Sequence, residues 1–142
     1  MQFIYPAKIE DDGTGSFLVT FRDIPFAATE GSTLNEALTE AHDCLEAAIA
    51  SCIDDKEDIP EPSESEKDEY LIRLSAQTAA KTALYVAMKK DRITKSKLAK
   101  DMGIDEKEVR RMLDPRHPTK LYRIEKALAA LGYHISVSFE AA

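Results

Sequence analysis

The stretch from Asp54 to Glu69, DDKEDIPEPSESEKDE, limits what this chain can fold into more than any other. It is charged, carries Pro60 and Pro62, and has no apolar period of 2 or 3.6 residues to bury a strand or helix face. It therefore reads as a solvated connector, with a domain boundary in or just after it. With 142 residues there is room for one ordinary domain or two small ones. The expected division is residues 1–74, containing a connector at about 54–69, and residues 75–142. Charge divides the chain in the same region. Residues 1–69 hold 4 Lys and Arg against 18 Asp and Glu, a net of −14, whereas residues 70–142 hold 15 against 8, a net of +7. An acidic half repels nucleic acid and a basic half attracts it, so two partners of opposite sign are expected.

Before the connector, QFIYPAKIE alternates with Phe3, Tyr5, Ala7 and Ile9 on one face, the signature of a strand. Asp11–Gly15 reads as a turn, and SFLVTFRDIP as a second strand ending at Pro25. A short third strand is predicted near Ala27–Glu30. Thr33 then caps a helix of about 20 residues, with Glu36 completing a capping box. Its apolar stripe is Leu34, Leu38, Ala41, Leu45, Ala48, Ile49 and Cys52. After the connector, Tyr70–Leu74 reads as a strand returning to the sheet. Helical periods follow, first from a cap at Ser75, then through Thr94–Met102, Asp105–Leu113 and about Leu121–Leu131. Tyr133–Phe139 alternates again and reads as a terminal strand. The fold class is α+β: a small antiparallel sheet covered by a helix, then an all-α domain ending in a strand.

Within the basic half, Ala99, Gly103 and Val109 stand where a helix-turn-helix needs them. A small residue admits the second helix, glycine permits a left-handed turn, and a later aliphatic side chain locks the crossing. Asp105 caps the second helix, whose outward residues are then Glu106, Lys107, Arg110 and Arg111. Such a face suits the major groove, where arginine pairs with guanine O6 and N7. Thr94, Lys95, Ser96 and Lys97 before it, and Arg116, Thr119 and Lys120 after it, are candidates for phosphate. Two copies on half-sites about 34–36 Å apart are expected. The strand carrying Tyr133, Ile135, Val137 and Phe139 either pairs with its two-fold mate or closes the domain internally. The first alternative makes these four the dimerisation residues.

No other constellation carries chemistry. Glu10, Asp11, Asp12, Asp23 and Asp43 are acidic without the fixed spacing of a metal site. His42 reads as a partly exposed helix residue, and His117 and His134 have no nucleophile in their sequence context. Cys44 and Cys52, eight apart and about two helical turns, are too far apart to bridge within a straight helix and read as buried thiols. No catalytic residue, metal or cofactor is expected. The absence of a basic, apolar leader in MQFIYPAKIE and of long apolar runs leads to a cytoplasmic expectation with no membrane partner.

The segment GSFLVTFRDIPFAATEGSTLNEALTEAHDCLEAAI, followed by a proline-marked connector, a strand and a helix-turn-helix pattern, resembles the HicB family of antitoxins. The most specific parts are Phe21, Asp23, Ile24 and Pro25, then Gly31, Thr33, Glu36 and Ala37, then the Ala99–Gly103–Val109 frame. Phe26 departs from the family, which often has a small residue there. The resemblance implies a partial ribonuclease-H-like N-terminal domain that binds and masks a HicA-type toxin, a small basic ribonuclease. It also implies repression of the chain's own operon as a dimer or higher oligomer. Asp11, Asp12, Asp23 and Glu30, at loop and strand ends, are the candidates for toxin contact. Two other readings stay open on the sequence: a stand-alone repressor with a ligand-sensing N-terminal domain, and an enzyme using the acidic residues.

Overall fold

A computed structural model describes every residue, Met1–Ala142, and contains two compact units, Met1–Ser75 and Ala76–Ala142. The first holds β1 (Ile4–Asp11), β2 (Phe17–Phe21), β3 (Ala28–Gly31), α1 (Leu34–Asp54) and β4 (Tyr70–Arg73). The strands form one sheet in the order β3-β2-β1-β4, each neighbouring pair antiparallel. β1 is shared along its length: Ile4–Ala7 pair with β4, and Ala7–Asp11 pair with β2. Pro6 thus stands just outside the β1–β2 ladder and opposite Leu71 in the β1–β4 ladder.

Alternation buries Tyr5, Ala7, Val19, Phe21 and Ile72, together with Ala37, Ala41, Leu45, Ile49 and Cys52 of α1. Each large apolar side chain buried this way stabilises by roughly 1.5–3 kcal/mol relative to exposure. The stripe of α1 is rotated slightly from expectation, since Leu34 is 38% exposed and Ala37 fully buried. Thr33 caps the helix as predicted, accepting from the Glu36 amide at 3.1 Å. The return bond differs: the Glu36 carboxylate takes the amide and hydroxyl of Ser32, not the amide of Thr33. Of the two cysteines, Cys52 is buried and Cys44 only half-buried, and both are free thiols.

The acidic run is mostly exposed, as its composition requires, yet it is not a free tether. It lies within the first unit, pinned at three places. Tyr5 Oη donates to the Pro60 carbonyl at 2.7 Å beside the buried Ile59. Asp23 accepts from the amide and hydroxyl of Ser63 at 2.9 and 2.5 Å. Arg22 reaches Glu69 at 2.8 and 3.2 Å and also the Glu64 carbonyl. These partners are too distant in sequence for composition to reveal.

The second unit holds α2 (Ala76–Asp91), α3 (Lys95–Met102), α4 (Glu106–Leu113) and α5 (Leu121–Ala130). Leu84, Leu98, Val109, Ile124 and Ala127 are fully buried at its centre. The expected terminal strand is not formed within this unit. Tyr133 and Ile135 pack partly against the core, but Val137 is 77% and Phe139 100% exposed. A strand needs a neighbour for its backbone groups, and none of the other elements of this unit is one. Tyr133–Phe139 therefore does not close this unit as a strand.

Candidate nucleic-acid interface

Local sequence sets the α3–α4 geometry. Thr94 accepts from the Lys97 amide at 3.1 Å and starts α3. Gly103, at φ 66° and ψ 34°, ends it in the left-handed region that glycine enters without steric cost. The Ile104 amide then bonds back to the Ala99 carbonyl at 3.0 Å, tightening the turn. Asp105 starts α4 by accepting from the Lys107 amide at 2.8 Å. Ala99 and Val109 are 4% and 0% exposed, so the small and aliphatic residues expected to hold the pair together do lie inside.

The outward side of α4 carries Lys107, Arg110 and Arg111, all exposed. Glu106 does not stand free among them. It accepts from Arg110 at 3.0 Å and from Ser96 at 3.1 Å, and these bonds hold its carboxyl below the usual range. Its part is to orient Arg110 and join the start of α3 to α4, which also occupies Ser96. Glu108 lies 4.0 Å from Arg123, a second exposed pair. Lys97 is paired with Asp101 at 2.5 Å, while Lys95, Lys107 and Lys120 are exposed along the same unit.

The loop after α4 is more ordered than its sequence indicates. Asp114 accepts from the Arg116 amide at 3.0 Å, and Arg116, His117 and Lys120 line an open depression of about 440 Å³. Thr119 is half-buried and turns toward α2. Its amide donates to Gln77 Oε1 at 2.6 Å and its hydroxyl accepts from Lys81 Nζ at 2.7 Å. Lys81 is fully buried, and burial pushes its ammonium down to about 8. Gln77 and Lys81 escaped sequence reasoning because an alanine-rich helix gives no sign of which polar residues face inward.

In the first unit, the four acidic candidates are not brought together. Asp11 and Asp12 build the β1–β2 turn: Asp11 accepts from the Gly13 amide at 2.9 Å, and Asp12 from the Thr14 amide and hydroxyl at 2.8 and 2.6 Å. The Thr14 bonds hold the Asp12 carboxyl below its usual range. Glu30 lies at that end of the sheet, accepting from Ser16 at 3.1 Å, whereas Asp23 follows the opposite end of β2 and holds Ser63. His42 is partly exposed beside Asp43. No group of three or more His, Cys, Asp or Glu is arranged to hold a metal ion, and no helix is long and apolar enough to cross a membrane.

The features so far define a two-unit α+β protein with an acidic sheet-bearing unit and a basic helical unit that displays a cationic helix face. Residues 4–83 match the family model described as the HicB-like antitoxin of bacterial toxin-antitoxin systems. Antitoxin HicB 2 of Photorhabdus laumondii is 39% identical over 133 residues, covering 94% of each chain. Antitoxin HicB of Pseudomonas fluorescens is 34% identical over 143 residues, covering 100% of this chain and 97% of that one. The Escherichia coli K12 antitoxin HicB is 33% identical over 133 residues, covering 94% and 96%. The chain belongs to the HicB-like antitoxin family.

Proposed function

We propose that this protein masks a small, basic RNA-cleaving toxin of the HicA type with its N-terminal unit, and represses its own operon with α3 and α4 acting as a helix-turn-helix. The observation that carries the DNA half is the α3–Gly103–α4 geometry with Lys107, Arg110 and Arg111 presented together on the exposed side of α4. Family membership and the acidity of residues 1–69 support the toxin half, where opposite potentials speed encounter and disfavour wrong partners. The four-stranded sheet under α1 is read as a partial ribonuclease-H-like domain. Pairing of Tyr133–Phe139 with the same segment of a second copy is part of this reading, supported by the exposure of Val137 and Phe139.

Co-expression with the adjacent small basic reading frame tests the toxin half. The pair is expected to co-elute and growth to be restored, while independent elution with continued toxicity contradicts masking. For the DNA half, Arg110→Ala is expected to cost about 1–3 kcal/mol and relax selectivity at one base pair. Unchanged selectivity in a binding-site library removes Arg110 from the reading set. Lys95→Ala is expected to weaken all duplexes alike and to lower the salt slope by roughly 1. A loss confined to one sequence contradicts a phosphate role.

A further inference from the structure

Lys81 lies in the middle of α2 with 0% of its surface exposed. Its three ammonium hydrogens have three neutral acceptors: the Arg111 carbonyl at 2.8 Å, the Met112 carbonyl at 3.3 Å and Thr119 Oγ1 at 2.7 Å. Two of these are carbonyls from the last turn of α4, which no intrahelical amide satisfies and which carry the negative end of the helix dipole. The third belongs to the loop leading to α5, and Gln77, one turn before Lys81, takes the amide of that same Thr119. One buried cation and one amide side chain thus fasten the end of α4 and the start of α5 to α2.

Burying a charge is costly, and an apolar side chain of equal length fills such a site without that cost. A hydrogen-bonded ammonium supplies fixed direction instead, since its donors are satisfied only when the α4 carbonyls sit at one place and angle. Arg111 is fastened through its own carbonyl while its side chain points to solvent, and Arg110 is its neighbour. We infer that Lys81 is a positioning residue for DNA contact, fixing the C-terminal end of α4 so that Arg110 and Arg111 meet the bases in one register. This inference rests on the DNA-binding reading above and adds the residue that sets its selectivity.

The test compares the intact protein with Lys81→Met on two duplexes, one spanning the sequence upstream of the protein's own gene and one a scrambled duplex of the same composition. Amide exchange and melting temperature are measured on the same samples. In the variant, the ratio of the two affinities is expected to fall about tenfold, the loss of one good base contact. At pH 7 the salt slope should stay close to wild type and the melting temperature should not fall, and exchange should accelerate over residues 110–119 alone. A merely structural role predicts the reverse: a lower melting temperature with both affinities falling together. Either that result or an unchanged ratio overturns the inference. If Lys81→Met does not fold, Thr119→Val removes one acceptor from the same ammonium and is read by the same ratio, with a smaller fall expected and no fall overturning it. A wild-type protein that retains neither duplex at low salt overturns the DNA-binding reading itself, whereas wild-type selectivity left intact in the variants overturns only the role of Lys81.

Discussion

Gly31→Ala is expected to destabilise the N-terminal unit by about 3 kcal/mol, the upper end of what overpacking a core costs. Gly31 closes β3 opposite Phe17, and the chain turns at once through Ser32 and Thr33 into α1. A methyl group there would lie 2.8 Å from the Ala37 Cα and the Glu36 carbonyl carbon, and closer still to the Ala37 amide nitrogen. All three are backbone atoms of the first turn of α1, so no side chain can swing aside. Ala37 is itself fully buried, and relief therefore requires lifting the start of α1 from the sheet. That movement also strains the Thr33 cap. Urea denaturation followed by circular dichroism measures the loss, and amide exchange is expected to place it in residues 1–75. A loss below about 0.5 kcal/mol, the level of an ordinary surface substitution, contradicts the close approach of β3 and α1.

The second large effect concerns Lys81 and pH. Its ammonium titrates near 8 in the folded chain against an ordinary value of 10.5, because burial disfavours the charged form more than the Asp114 charge favours it. Above pH 8 the unfolded chain therefore holds the proton more often than the folded one, so the contribution of this group to stability rises with pH. Below pH 8 the buried charge opposes folding by about 3 kcal/mol, and the penalty fades between pH 8 and 10.5. Other groups titrate in this window too, but they largely cancel in the difference between wild type and Lys81→Met. That difference in unfolding free energy is expected to move toward wild type by most of this amount between pH 7 and pH 10. A pH-independent difference means that Lys81 keeps its proton in the folded chain through pH 10, as an ammonium in contact with water does.

The strands, the Thr33 cap and the Gly103 turn were legible because each is written in neighbouring residues: an alternation, a cap before an apolar stripe, a glycine after one. The order β3-β2-β1-β4 was not, since it depends on which strand ends meet across the sheet. Nor was the anchoring of the acidic run, where Asp23 and Ser63 are 40 positions apart. Composition identified most of those residues as exposed but carried no information about what Pro60, Ser63, Glu64 and Glu69 hold. The terminal segment shows the converse limit. Tyr133–Phe139 has a strand's alternation, yet a strand also needs a neighbour, and periodicity does not supply one. In the candidate interface, Lys107, Arg110 and Arg111 were readable from helical spacing alone. Glu106 holding Arg110, and Thr119 facing Lys81, arise from packing between elements and became visible only in the fold.

On the function proposed above, the basic unit engages duplex DNA although the protein as a whole carries a net charge of −7. Fluorescence anisotropy of a labelled duplex from upstream of the protein's own gene, titrated with the intact protein across a series of salt concentrations, measures this. The expected result is binding at low salt, with the logarithm of affinity falling linearly against the logarithm of salt as phosphate contacts release counterions. No retention of the duplex at low salt, or affinity indifferent to salt, contradicts it.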